Sequence, residues 1–201
     1  DLFEDSDDED DADAETNRLQ AIQNLIDTVR NSIDPTSWDV NAAISELNGM
    51  IVVTQTPDNH RRIANLLNQL RESESVQINI EARTMLSMTR RQILPACCEY
   101  SAKLGKAVAA VSGAGVSAET QKKLLERVCG LITTMDSRVE ALEKATAKAA
   151  EIHDAENQAK SFREDVIPAM VVLRQTADEL ETIVDAKLWP LPSYAEMLFV
   201  R

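Results

Sequence analysis

Aromatic residues and glycines are scarce in this chain of 201 residues, with aromatics at 3% and only five glycines. Its core cannot rest on stacked rings and must come from aliphatic side chains within the 44% hydrophobic content. Alanine-rich, glycine-poor composition of this kind favours helices. The sequence contains no run of 18 apolar residues, so we expect no membrane-spanning helix, and no signal peptide is recognisable.

Cysteine is rare as well, at three residues: Cys97, Cys98 and Cys129. The count is odd, and all three lie within apolar helical pattern. We therefore predict buried, reduced thiols, which favours a reducing compartment. A redox pair of the two adjacent cysteines is the alternative, but vicinal disulfides are strained.

Negative charge is concentrated at one end of the chain. Residues 1–15 hold ten acids and no base, which leaves −3 of the total charge of −13 for the rest. Self-repulsion of this kind predicts a disordered acidic tail over residues 1–16, either a solubilising linker or a binding tail for metal or protein. The tail argues against nucleic acid as a partner.

Residues 17–82 predict a small α-β-β-α-β domain. Asn48-Gly49 separates the runs AISEL and MIVVT, which indicates a hairpin with a type I′ turn. Thr56-Pro57-Asp58 then carries the signals of a helix start. VQINIEA (76–82) alternates with period two and predicts a third strand.

Residues 83–201 predict three long helices, because apolar residues recur at spacings near 3.6. Modest connections make the helices antiparallel neighbours in a bundle. Pro95 and Pro168 lie inside the first and third helices, where each kinks its helix or opens a new one. Gly113 and Gly115 indicate a loop that ends a helix rather than a phosphate loop.

A proline-rich segment at the C-terminus gives the best candidates for a functional surface. Two prolines hold it extended, and aromatic side chains are favoured anchors at interfaces. The candidates either cover the chain's own bundle or dock onto another domain or subunit. They are Trp189, Pro190, Pro192, Tyr194, Leu198 and Phe199.

Candidates for chemistry are few. His60 and His153 lack the neighbours of a metal site, and HDAE (153–156) is interpreted as a charged helix surface. Arg90-Arg91 and Lys122-Lys123 lack the aromatic residues that accompany nucleic-acid binding. We therefore assign no catalytic, cofactor-binding or metal-binding residue, and we expect no cofactor.

Residues 78–201 resemble the C-terminal region of type III glutamine synthetases. Three ordered stretches carry the resemblance: INIEARTMLSMTRRQILPACCEY (78–100), FREDVIPAMVVLRQTADELETIV (162–184) and LWPLPSYAEMLF (188–199). The family is an ATP-dependent glutamate–ammonia ligase that assembles into rings, with a helical region after the catalytic domain. Its metal, glutamate and ATP contacts lie on upstream sequence that this chain lacks. The resemblance therefore implies a non-catalytic structural or assembly element.

Residues 20–82 are similar to the small α/β domains of bacterial secretins, which pack into periplasmic rings. The matching stretches are LIDTVRNSIDPTSWDV (25–40), NGMIVVTQTPDNHRRIANLLNQLR (48–71) and VQINIEAR (76–83). The two resemblances meet at IEAR (80–83), which suggests a fusion, natural or artefactual, with its junction there.

Together these observations predict an α+β chain: an α-β-β-α-β domain, then a long-helix antiparallel bundle with an extended docking tail. The expected partners are proteins, either further copies of the chain or a glutamine synthetase catalytic domain. We expect no nucleic acid and no membrane span. The expected location is cytoplasmic, or periplasmic if the secretin-like half decides it.

Overall fold

The computed structural model describes the backbone of residues 6–38, 42–47 and 50–192, and their side chains from Thr16 onward. The chain divides into two compact units, Asp1–Leu70 and Arg71–Arg201. The division falls inside one continuous helix, α2 (Pro57–Met88), and precedes the boundary at residue 82 that the sequence suggests.

A helix and a hairpin form most of the first unit. Helix α1 spans Ser6–Ser32, and a 3₁₀ turn follows at Pro35–Trp38. Strands β1 (Ala43–Leu47) and β2 (Met50–Thr54) pair antiparallel, with Leu47 opposite Met50. The predicted hairpin is therefore confirmed, while its Asn48-Gly49 turn lies outside the described residues. The buried core of this unit comprises Ile26, Val29, Ile33, Ile44 and Ile63.

Helix α2 begins as its sequence predicts. The Thr56 Oγ1 atom accepts a hydrogen bond from the backbone N–H of Asn59 at 3.3 Å, and Pro57 is the first helical residue. The Asn59 side chain is buried, and its amide donates to Ser37 Oγ at 3.3 Å and Gln55 Oε1 at 3.2 Å. These bonds satisfy a polar group that would otherwise be costly to bury.

The predicted disordered tail does not hold for residues 6–16, because they form the first turns of α1. The helix continues without a break from Ser6 to Ser32, so this stretch is the N-terminal part of a longer helix rather than an independent tail. Residues 1–5 lie outside the described part of the chain.

The predicted third strand, 76–82, is wrong, because these residues lie in the middle of α2. No glycine or proline occurs between Pro57 and Pro95, so the helix meets no stop signal. Burial follows a helical period, with Ser75 and Ala82 buried, whereas Val76 and Ile80 are 59% and 60% exposed. The α-β-β-α-β order is therefore corrected to helix, hairpin and helix.

The second unit is a bundle built around one central helix. Helix α3 spans Leu94–Gly113, α4 spans Glu119–Ala150, α5 spans Ala155–Ser161 and α6 spans Ile167–Glu181. Helix α4 contacts both α3 and α6. Its core residues Met135, Val139 and Leu142 are fully buried. In the part of the chain that is described, no helix is long and apolar enough to cross a membrane.

Each internal proline is preceded by a π turn. Thr89–Ile93 forms one before Pro95, and Phe162–Val166 forms the other before Pro168. At the end of each turn the backbone N–H bonds five residues back, from Leu94 to Thr89 and from Ile167 to Phe162. A π turn is a recognised way to interrupt the i→i−4 ladder, so each proline sits at the start of a new α segment.

The loop after α3 is a helix C-cap, as its glycines predict. Gly115 has a φ of 75°, in the left-handed region that glycine adopts without strain. The Val116 N–H bonds to the Val111 carbonyl at 3.3 Å, and the Gly115 N–H bonds to the Ser112 carbonyl at 3.1 Å. This pair of bonds is a Schellman motif, which caps carbonyls that the helix leaves unpaired.

Candidate docking surface

The C-terminal segment turns back onto the bundle after α6. The Asp185 carbonyl accepts from the N–H groups of Leu188 at 2.8 Å and Trp189 at 3.1 Å. The Asp185 carboxylate accepts from the Lys187 N–H at 3.0 Å. This turn places Leu188, Trp189 and Leu191 against the hydrophobic core of the second unit. For Trp189, the structure therefore favours contact with the chain's own bundle.

The same segment also has two exposed prolines next to a cavity. Pro190 and Pro192 are exposed, beside a cavity of about 810 Å³. The indole N–H of Trp189 is buried without a hydrogen-bond partner among the described residues. Leaving a buried donor unpaired costs about 1–3 kcal/mol. The other three predicted docking residues, Tyr194, Leu198 and Phe199, lie outside the described part of the chain. The cavity is lined by Glu181, Ala186, Lys187, Trp189, Pro190, Leu191 and Pro192.

Ion pairs between helices show that neighbouring helices run antiparallel. Arg90, in the first π turn, binds both carboxylate oxygens of Glu143 on α4, at 2.9 and 2.6 Å. The hydrogen bond from Arg90 lowers the pKa of Glu143 below its ordinary value. At the other end of α4, Arg127 binds Glu179 of α6 at 2.9 Å. Early residues of one helix thus meet late residues of the next, which confirms the antiparallel prediction.

A buried hydroxyl links α4 to α6. Arg138 of α4 donates to the Val172 carbonyl at 2.7 Å and also to Thr176 Oγ1. Thr176 is buried, and its hydroxyl bonds to the Val172 carbonyl at 3.2 Å. The guanidinium therefore reaches into the helix contact and satisfies the polar groups there.

The three cysteines are free thiols, but only Cys97 is buried. The prediction that all three are buried is wrong for Cys98 and Cys129, which are exposed. Adjacent residues on a helix point about 100° apart, so Cys97 and Cys98 cannot both face the core. Burial raises the pKa of the Cys97 thiol to about 11.

We expect iodoacetamide at pH 8 to alkylate Cys98 and Cys129 and to spare Cys97, because the thiolate is the reactive form. Peptide mass spectrometry with and without urea measures this difference. Alkylation of Cys97 in the native protein at the rate of Cys129 would contradict the burial seen here.

Neither His60 nor His153 belongs to a group of possible metal ligands in the described residues. In the described part of the chain, no group of three or more His, Cys, Asp or Glu side chains could hold a metal ion. The HDAE stretch is also not a helix surface throughout. Asp154 is the N-cap of α5, and its carboxylate accepts from the Asn157 N–H at 2.9 Å.

The sequence analysis did not predict the exposed apolar side chains that lie outside the C-terminal segment. Val76 and Ile80 project from α2, and Ile167, Val171 and Val172 project from α6. Sequence periodicity assigns apolar residues to a core face, so it cannot mark the ones that remain outside. Helix α2 also borders two grooves of about 290 and 510 Å³ within the second unit, and Ile167 lines the larger one.

A family model described as "Glutamine synthetase C-terminal domain" matches residues 6–112. The match runs through residues 20–82 and across residues 80–83, where two resemblances met. The secretin resemblance and the proposed fusion junction therefore find no support. Of the three stretches that carried the secretin resemblance, VQINIEAR (76–83) is helical where a strand was predicted.

Curated relatives agree with this match. The chain is 27% identical to the type-3 glutamine synthetase of Dictyostelium discoideum over 133 residues, covering 62% of this chain and 18% of that protein. It is 24% identical to a glutamine synthetase of Bacteroides fragilis and 29% identical to one of Butyrivibrio fibrisolvens, covering 65% of this chain and 19% of the relative in each case. The chain thus spans less than a fifth of these relatives. It belongs to the family of glutamine synthetase C-terminal domains.

Proposed function

We propose that this chain is a non-catalytic structural and assembly element of a type III glutamine synthetase, working in the cytoplasm. In this proposal the glutamate–ammonia ligase chemistry belongs to sequence outside the matched region. The C-terminal segment docks the bundle onto the catalytic part of the enzyme. Support comes from relatives that are named glutamine synthetases and that extend far beyond this chain.

One observation carries the docking proposal: the indole N–H of Trp189 has no hydrogen-bond partner in the described part of the chain and lies beside an open cavity. A partner that supplies a carbonyl or carboxylate oxygen there would remove the penalty of the unpaired donor. The neighbouring Pro190 and Pro192 are exposed and restrict the backbone before any contact forms. Less conformational entropy is then lost on docking.

Binding to a catalytic part tests the proposal. We expect this chain to form a stable complex with the Bacteroides fragilis enzyme truncated before its matching region, as measured by size exclusion with light scattering. Changing Pro190 and Pro192 together to glycine should weaken binding by about tenfold, because the segment loses its preorganisation.

Val116→Ala serves as the control, since Val116 is exposed in the loop after α3, away from the segment in sequence. It should bind as the wild type does. Absence of any complex would refute the docking role. Ligase activity from this chain alone would refute the non-catalytic role.

A further inference from the structure

The larger of the two grooves beside α2 has a volume of about 510 Å³ and lies within the second unit. Helix α2 contributes Arg71, Ser75 and Ile78 to one wall, and the opposite wall includes Lys160 of α5 and Ile167 of α6. Small-molecule sites typically have volumes of about 300–1,000 Å³. We call this feature the larger groove.

A buried serine hydroxyl lies in the wall of the larger groove. Ser75 is only 3% exposed, and its hydroxyl makes no hydrogen bond to another residue in the described part of the chain. A buried hydroxyl without a partner is destabilising. Ser75 therefore favours a ligand that brings a hydrogen-bond acceptor to this point of the wall.

Positive charge predominates among the lining side chains. Arg71, Lys160 and Arg163 are cationic, whereas Glu74 and Glu156 are the carboxylates. Lys160 binds Glu156 at 3.0 Å, but Arg163 makes no ion pair with any described residue. Three cations thus face two anions here, although the whole chain has a net charge of −13. This local excess favours an anionic ligand.

The two carboxylates of the wall oppose an anion only weakly. The charge of Glu156 is offset by its partner Lys160. Glu74 is exposed, where water screens its charge. Neither carboxylate therefore places an uncompensated negative charge beside the buried Ser75.

The two walls of the larger groove run in the same direction. Helices α3 and α6 both run antiparallel to α4, and α2 leads through the first π turn into α3. Hence α2 and the stretch from α5 to α6 are parallel. Residues that come early in one wall lie beside residues that come early in the other.

This direction gives the groove a charged end and an apolar end. The pKa of Glu156 is lowered first by the hydrogen bond from Lys160, and the nearby charge of Arg71 lowers it further. Ile78 lies two turns of α2 beyond Arg71, about 10.5 Å along the axis. Ile167, which is 38% exposed, likewise comes after Lys160 in its own wall. A ligand that fits both ends is itself amphipathic.

We propose that the larger groove binds a small amphipathic carboxylate. Its carboxylate accepts hydrogen bonds from the Arg163 guanidinium and from the Ser75 hydroxyl, and its apolar body lies along Ile78 and Ile167. A guanidinium matches the geometry of a carboxylate and can bind both of its oxygens. The groove shares no lining residue with the cavity beside the C-terminal segment, so the inference goes beyond the docking proposed above.

Octanoate is a suitable probe, because it joins a carboxylate to an unbranched apolar chain. We expect isothermal titration calorimetry on the full chain to show saturable binding of one octanoate. Octylammonium and 1-octanol should each bind at least about tenfold more weakly, because they cannot accept the charge-assisted hydrogen bonds. Acetate, which lacks the apolar chain, should not saturate over the same range. Absence of saturable octanoate binding overturns the proposal, as does equal affinity for octylammonium.

Substitutions test which groups hold the carboxylate. Arg163→Gln should raise the dissociation constant of octanoate about tenfold, and Ser75→Ala about threefold, because each removes a hydrogen bond to a charged group. Arg174→Gln is the matched control on α6, since it removes the same charge from an exposed arginine outside the groove. It should bind as the wild type does, and circular dichroism should show equal helix content in all variants. Unchanged affinity in either groove variant, or an equal loss in the control, overturns the assignment.

Isoleucine methyl resonances locate the apolar body of the ligand. Octanoate should shift the methyl signals of Ile78 and Ile167 and leave that of Ile80, which lines the smaller groove, unchanged. A shift at Ile80 alone, or at none of the three, overturns the proposal. These measurements need only this chain, whereas docking is measured with a catalytic part, so the two proposals fail independently.

Discussion

Phe162→Ala should lower the free energy of unfolding of the second unit by about 3–5 kcal/mol, the range for truncating a fully buried aromatic side chain. Phe162 is only 2% exposed and opens the second π turn, where it joins the central hydrophobic cluster. Its removal leaves a cavity that neighbouring helices can close only in part. The free-energy cost of this cavity adds to the lost transfer free energy of the ring.

Tryptophan fluorescence can report this unit alone. The chain has two tryptophans, and Trp38 lies in the first unit whereas Trp189 packs on the core of the second. Urea titration in a Trp38→Phe background therefore follows the second unit. Val116→Ala in the same background is the control and should change stability by less than about 0.5 kcal/mol, as expected at an exposed position. A loss below about 1 kcal/mol for Phe162→Ala would mean that the ring is not in the core.

Ala82→Asp should destabilise the second unit by about 3–5 kcal/mol, because it leaves an unpaired charge in the core. Ala82 is fully buried in α2 against the bundle. Ile80→Asp should change stability by less than about 0.5 kcal/mol, since exposed positions tolerate charge. The same urea titration, monitored at Trp189, measures both variants.

This pair of variants separates a helix from the strand that the sequence suggests. On a strand, residues 80 and 82 face the same side, so both substitutions would be costly. On α2 they lie about 200° apart, and only Ala82 meets the core. A large loss in Ile80→Asp would contradict the helix.

The sequence predicts elements with strong local signals well. The hairpin follows from its Asn-Gly turn, the start of α2 from Thr56 and Pro57, and the end of α3 from Gly115. Each of these signals acts through a few neighbouring residues, so no distant contact can overrule it easily. The helical character of residues 83–184 follows in the same way from an apolar period sustained over many turns. The number of long helices was predicted as three, whereas four are present in the described bundle, because α2 continues through residues 76–82.

Short alternating runs are where sequence reasoning failed. Val76, Ile78 and Ile80 alternate over only a few residues, too few to outweigh a helix that continues on either side. The buried residues in this part of α2 are instead Ser75 and Ala82, which both have small side chains. A small residue gives no apolar signal, so its burial could not be read from hydrophobicity.

Prediction of the candidate surface was limited for another reason. The C-terminal candidates share one segment, yet Trp189 packs inward while Pro190 and Pro192 face outward. Composition identifies such a segment, but it does not show which residues pack on the core and which face solvent. The exposed residues Ile167, Val171 and Val172 of α6 were missed altogether, because they continue the apolar pattern of a helix whose other face is buried.

Helix α4 contacts α3, which directly precedes it, and α6, which follows it after the short helix α5 and the second π turn. Contacts between sequence neighbours need only short loops to close, and proteins rich in them fold in microseconds to milliseconds. The bundle should therefore form early and without waiting for distant sequence. A domain of this kind can offer a finished surface before slower contacts, between residues far apart in sequence, have formed elsewhere.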